Sequence, residues 1–182
     1  MKIIETGFNG LFVIQPMVFY DSRGYFFESF KLEVFLKAGI SFSPVQDNES
    51  KSVRGVIRGL HYQLKPFDQA KLIRVVLGMI FDVAVDLRKD SPTYGKWYGI
   101  ELDSENKTQL FIPRGFAHGF SVLSETTVIQ YKCDNIYNPQ FERGISLKDP
   151  DLNIDWKTGE LIQVISEKDL KHPPLKDAEN NF

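Results

Sequence analysis

The chain of 182 residues carries three histidines, His61, His118 and His172, and a single cysteine, Cys133. His61 lies in RGLHYQ, Arg58 to Gln63, between an arginine and a tyrosine in a run of strand-like composition. A histidine in that setting can be a satisfied core residue, a metal ligand or a catalytic base. An imidazole has a reference pKa near 6.5, so it can take a proton at neutral pH, where an exposed lysine is already charged. A catalytic first-row metal asks for at least three protein ligands with lone pairs to give. With His172 in the tail, only two histidines remain in the strand-rich part of the chain.

The elements that must position His61 are short and apolar. GLFVIQPMVF, YFFESF, VIRGLHYQ, AKLIRVVLG, MIFDVAVDLR, WYGIELD, TQLFIPRG, HGFSVLS and TVIQYKC each have strand length and composition. Turn signals separate them at 21–24, 91–92, 103–106 and 113–115. One segment, KLEVFLKAG, predicts a helix with Leu32, Phe35 and Leu36 on one face and Gly39 at its end. Many strands with little helix predict an all-β fold, an antiparallel sandwich or closed barrel of jelly-roll type. The whole chain reads as one domain, 1–182. Its tail, after about residue 150, packs over the barrel as short helices or turns and then frays at AENNF.

In MIFDVAVDLR, alternation places Phe81, Val83, Val85 and Leu87 on one face and Asp82, Ala84 and Asp86 on the other. The polar face is either solvated or lines a cavity.

Composition excludes several classes of function. A net charge of −2 gives no electrostatic reason to expect nucleic acid or an anionic membrane as partner. The most apolar stretch, VVLGMIFDVAV, is too short to span a bilayer and contains Asp82. MKIIETGFNG lacks the apolar run of a signal peptide, and one cysteine allows no intrachain disulfide. A cytoplasmic protein is expected.

PRGFAH, Pro113 to His118, resembles the second motif of cupins, Pro-x-Gly-x-x-His. Metal-binding cupins draw two histidines and a glutamate from a first motif and a third histidine from the second. Here the first motif reads His61-Tyr62-Gln63 with Lys71 where a glutamate would stand. Two histidines, a glutamine and a cationic lysine make a poor ligand set, so no catalytic metal is expected.

A closer resemblance covers residues 3 to 178. FYDSRGYFFESF, VQDNES, VIRGLHYQ, QAKLIRVV, FDVAVDLRKDSPTYGKW, LFIPRGFAHGF, YKCDNIY and ISEKD occur in order, as in the dTDP-4-dehydrorhamnose 3,5-epimerases. The resemblance implies a cupin-type jelly roll, a homodimer with exchanged N-terminal strands, and a dTDP-sugar as small-molecule substrate. It implies an isomerase of dTDP-L-rhamnose biosynthesis that needs no cofactor. The family inverts C3 and C5 of a 4-keto-6-deoxyhexose through enolates, which calls for a base, an opposed acid and a positive charge at the ketone oxygen.

On that resemblance His61 is the base, Tyr131 the acid, and Lys71 the charge beside the ketone oxygen. Asp169 pairs with the base, although the sequence leaves Asp82 as an alternative partner. Arg23, Glu28, Gln46, Asp47, Asn48, Arg58, His118, Glu142 and Lys168 match substrate-contacting positions, and Tyr137 matches an aromatic that stacks on thymine. Arg23 and Arg58 suit a pyrophosphate, because guanidinium forks pair with phosphate oxygens. Taken singly, each charged residue reads as solvated surface. Arg58 and His61 have odd spacing and would point to opposite faces of a regular strand; a bulge at Gly59 would bring them together. ISLKDP after Glu142 departs from the family, where many relatives carry a tryptophan before the Asp. Alternative readings are a single-carbon epimerase, a 3,4-ketoisomerase, a non-catalytic nucleotide-sugar-binding cupin, or a metal-dependent cupin oxygenase.

Overall fold

A computed structural model describes residues 1–182. Its strands are β1 (Lys2–Glu5), β2 (Phe12–Gln15), β3 (Val18–Asp21), β4 (Gly24–Phe27), β5 (Gln46–Val53), β6 (Ile57–Gln63) and β7 (Lys71–Leu77). They continue with β8 (Met79–Asp86), β9 (Trp97–Asp103), β10 (Gln109–Ile112), β11 (Phe116–Val122), β12 (Thr126–Cys133) and β13 (Glu142–Gly144). A six-stranded sheet runs β1-β2-β10-β7-β12-β5, and a five-stranded sheet runs β13-β6-β11-β8-β9. Strand pairing in both is antiparallel, as the jelly-roll reading requires.

Both sheets are buried on both faces over much of their area, which produces three apolar layers. Ile73 and Val75 of β7, Ile80 and Ala84 of β8, and Phe116, Phe120 and Val122 of β11 fill the space between the sheets. Outside the six-stranded sheet, Leu72 and Phe111 pack on Phe35, Ile40 and Phe42. Outside the five-stranded sheet, Phe81, Val83 and Val85 meet Ile145, Leu147, Leu152 and Trp156 from the chain that follows β13. The alternation in β8 is therefore real, but neither face is solvated. Asp82 and Asp86 are fully buried.

The single α-helix, α1, spans Leu32–Lys37 and is followed by Gly39 at φ +75. Only Phe35 of its apolar trio is buried; Leu32 and Leu36 remain exposed. The run GLFVIQPMVF breaks at Pro16 into β2, in the six-stranded sheet, and β3, which pairs with β4 in a separate hairpin. The tail covers the barrel with two 3-10 turns, Asp169–Lys171 and Leu175–Asp177. Its end does not fray. Tyr62 donates to the carbonyl of Glu179, Asn180 to that of Leu87, and the ring of Phe182 meets Tyr62 edge-on. No helix is long and apolar enough to cross a membrane.

Candidate active site

One end of the sandwich opens into a cavity of about 330 Å³. From the six-stranded sheet, Gln46 and Asn48 of β5, Lys71 of β7 and Tyr131 of β12 line it; from the five-stranded sheet, His61 and Gln63 of β6 and Glu142 of β13. Tyr137, on the loop between β12 and β13, forms part of the rim.

His61 reaches the cavity because β6 is bulged. His61 pairs with His118, and Arg58 with Phe120, so Gly59 and Leu60 together face one residue of β11. Positions three apart on β6 thus answer positions two apart on β11, and Arg58 and His61 share the inner face. Gly59 is required there: it lies at φ +132, and a Cβ on it would stand 2.5 Å from Cα of Gly119.

His61 Nε2 lies 2.8 Å from Asp169 Oδ1, and the backbone N–H of Gly59 donates to the second carboxylate oxygen at 3.3 Å. Burial would raise the Asp169 carboxyl, but these contacts hold it below the usual carboxylate range. An ionised carboxylate only accepts, so the neutral tautomer of His61 that this contact selects carries its hydrogen on Nε2 and its lone pair on Nδ1. Asp82, the other candidate, is taken: its Oδ1 meets Nε2 of His118 at 2.7 Å, while its Oδ2 has no partner.

Lys71 is partly buried and forms no ion pair or side-chain hydrogen bond with its neighbours. Burial draws its ammonium below the usual lysine range, against the pull of Cys133, Asp82 and Glu142. Burial also pushes the Tyr131 phenol up, so it stays protonated at rest. Lys71 pairs with Cys133 across β7 and β12, two residues beyond Tyr131. The phenol and the ammonium therefore enter from one sheet and the imidazole from the other.

At the rim, Tyr137 donates to Glu142 Oε2 at 2.5 Å and Lys168 to the same oxygen at 2.6 Å. The bond to Glu142 pushes the Tyr137 phenol up to about 12. Burial alone would raise Glu142, but Lys168 and Tyr137 hold it below the usual carboxylate range. Gln63 accepts from the N–H of Asn138 and donates to the carbonyls of Phe67 and Ile136, tying the Tyr137 loop to β6.

Thus His61, Tyr131, Lys71, Asp169, Gln46, Asn48, Tyr137, Glu142 and Lys168 come together at one cavity or in contact with its lining. Arg58 shares the inner face of β6 and donates to Ser52 of β5. Four residues do not join the cavity of this chain. Arg23 sits on the β3–β4 hairpin paired with Asp21, and Glu28 pairs with Lys31. Asp47 faces away from Gln46 and Asn48 and pairs with Lys132; His118 is buried on Asp82. Gln63, weighed by sequence only as a poor metal ligand, and Gln69, which no motif marks, also line the cavity. His172, placed by sequence in a remote tail, stands edge-on to His61 with ring centroids 5.5 Å apart.

A family model described as dTDP-4-dehydrorhamnose 3,5-epimerase matches residues 5–177. The dTDP-4-dehydrorhamnose 3,5-epimerase of Methanothermobacter thermautotrophicus is 50% identical over 179 residues, covering 97% of this chain and 95% of the relative. A crystal structure of the Elizabethkingia anophelis enzyme of that description superimposes with a TM-score of 0.93 at 50% identity, covering 97% of each chain. A Legionella pneumophila dTDP-6-deoxy-D-glucose-3,5-epimerase, solved in complex with dTDP-4-keto-L-rhamnose, gives 0.92 at 47% identity, covering 96% of this chain and 93% of that one.

Proposed function

Because the chain belongs to the dTDP-4-dehydrorhamnose 3,5-epimerase family, we propose that it inverts C3 and C5 of dTDP-4-dehydro-6-deoxy-D-glucose. The product is dTDP-4-dehydro-L-rhamnose, an intermediate of dTDP-L-rhamnose biosynthesis. The observation that carries the residue-level mechanism is the placement of His61 and Tyr131 on opposite sheets around one cavity. Inversion needs a proton removed from one side of a carbon and another delivered to the opposite side.

Both carbons flank the C4 ketone, so loss of either proton gives an enolate. Nδ1 of His61 takes the proton, and Asp169 orients the ring and stabilises the imidazolium that forms. The unpaired ammonium of Lys71 stabilises the developing enolate oxygen, and a partly desolvated charge does this better than one in water. Tyr131 then donates its proton to the far side of the carbon. Keto–enol chemistry of this kind transfers no electrons, so no redox cofactor is called for.

The nucleotide binds at the rim, with the thymine stacked on Tyr137 and the pyrophosphate reaching Arg58. Arg23 takes part through a homodimer. The hairpin that bears it exposes Phe19, Tyr20, Tyr25 and Phe26, an apolar surface suited to a second copy of the chain. In that assembly the hairpin lies over the partner and Arg23 serves the partner's cavity. The enzyme works in the cytoplasm, where Cys133 stays reduced.

Proton NMR of dTDP-4-keto-6-deoxyglucose incubated with the protein in deuterated water tests the activity. Deuterium should enter C3 and C5 with inversion at both. Inversion at one carbon alone would identify a monoepimerase, and no exchange at either would reject the reading.

A further inference from the structure

Beyond turnover, the base carries a third neighbour that the reaction does not use. The 3-10 turn Asp169–Lys171 starts with the carboxylate that meets His61 and is capped by His172. Residues three apart on such a turn eclipse, so Asp169 and His172 project to the same side. His172 lies over Gly144, which pairs with His61 across β13 and β6; a Cβ on Gly144 would collide with the His172 ring. One donor atom each from His61, Asp169 and His172 lie within 4.8 Å of one another. Nδ1 of His172 is buried and has no hydrogen-bond partner.

We propose that His61, Asp169 and His172 form a site for a divalent transition-metal cation, zinc above all, whose occupation inhibits the enzyme. Two imidazoles and a carboxylate are a ligand set zinc uses, leaving a fourth position for water. Tetrahedral bonds of ~2.0–2.1 Å set donor atoms roughly 3.4 Å apart, so the tail draws in by roughly 1 Å to close the site. Lys168, a cation close enough to act on His172, is paired with Glu142.

The cation takes the place of the hydrogen between Nε2 of His61 and Oδ1 of Asp169, and that hydrogen passes through solvent to Nδ1, so the neutral ring keeps one proton and has no free lone pair. The imidazole then loses both its carboxylate partner and its freedom to accept substrate protons. Metal thus switches the base off. Binding itself rests only on the three side chains; the inhibition rests on His61 being the base, as proposed above.

The test uses the full chain stripped with chelator. One equivalent of Co²⁺ at micromolar concentration should give visible d–d absorption, and Zn²⁺ should displace it and stop epimerisation until chelator is added. His172→Phe keeps a ring in the slot beside Gly144 but offers no lone pair; it should weaken both effects by at least about 10–100-fold. His172→Gln serves as the second variant if the phenyl ring does not fit. Absence of one-equivalent binding, or unchanged metal affinity in both variants, would overturn the site. His172-dependent cobalt binding that leaves turnover untouched would overturn the inhibition and the assignment of His61 as base, while the metal site itself would stand.

Discussion

His61 and Tyr131 line the same cavity from opposite sheets of the sandwich, His61 on β6 and Tyr131 on β12. Each is held by pairing along its own strand, Tyr131 to Asn48 and Ile73, His61 to His118 and Gly144. Their separation is therefore set by how the two sheets pack and not by a loop. A fold of this kind suits a reaction that must approach one carbon from both sides without moving the substrate.

The position of His61 depends on the glycine beside it. Gly59→Ala places a Cβ against Gly119 and a non-glycine residue at φ +132. Strained backbone of that kind costs about 1–3 kcal/mol, and the clash with a second backbone adds to it. The melting temperature should fall by roughly 4–8 °C for about 2 kcal/mol lost in a chain of this size. Turnover should fall further than stability explains, since Arg58 and His61 share a face only through the bulge. Thermal unfolding and kcat measured on one preparation check both.

Asp86 offers a pH test away from the cavity. Arg88, Ser91 and Thr93 all donate to its carboxylate, and although burial opposes them they bring its pKa from 3.8 to about 2. A folded pKa below the unfolded one means stability that is fully present above pH 3.8 and is lost as pH falls through about 2. The shift is worth roughly 2 kcal/mol at neutral pH. Asp86→Asn should lower the urea midpoint at pH 7, and its deficit relative to the parent chain should shrink between pH 4 and pH 2. A deficit that stays constant with pH would point to packing and not charge.

Much of this arrangement is legible in the sequence. The apolar strands announce themselves by alternation, while RGLHYQ alone leaves His61 as core residue, ligand or base, and the family resemblance singles it out as the base. β5, QDNESKSV, does not announce itself, because its inward residues Gln46, Asn48, Ser50 and Ser52 are polar, with Gln46 and Asn48 lining the cavity and Ser52 accepting from Arg58. Hydrophobic periodicity has nothing to report there. The tail is equally silent: Asp169 and His172 meet His61 across more than a hundred residues, through docking of two 3-10 turns with no period of their own. The choice between Asp82 and Asp169 likewise needs the fold. Both sit in plausible surroundings until β8 turns Asp82 onto His118.

Tyr137 should separate binding from chemistry. Its phenol is pinned to Glu142 at the rim, and its ring is exposed where a base can stack. Tyr137→Ala should raise KM for the dTDP-sugar by the equivalent of about 1–3 kcal/mol while kcat changes little, since stacking is remote from the reacting carbons. Tyr137→Phe should retain most of the affinity. Calorimetry with dTDP alone checks the assignment, and unchanged binding in the alanine variant would remove it.

In the proposed homodimer the hairpin carries the assembly. Phe19 and Phe26 pair across β3 and β4, and both are more than half exposed. Replacing both by Asp should turn a dimer into a monomer in sedimentation velocity without unfolding the sandwich, whose core they do not join. Affinity for dTDP should drop in parallel, because Arg23 no longer reaches a partner. A parent chain that sediments as a monomer at micromolar concentration would end this reading.

The sharpest prediction sets the two sheets against each other. His61→Ala leaves no base, so inversion and solvent exchange should both fall by about 10²–10⁴-fold. Tyr131→Phe keeps the base and the bulk but removes the donor, whose phenol burial holds protonated. Enolate should still form, and His61 should return a proton to the side it came from. Deuterium would then enter C3, C5 or both with retention, while inversion drops sharply at one or both carbons. Proton NMR in deuterated water reads exchange and stereochemistry in one experiment. If Tyr131→Phe inverts both carbons at the parental rate, the acid lies elsewhere, and if His61→Ala still exchanges normally, so does the base.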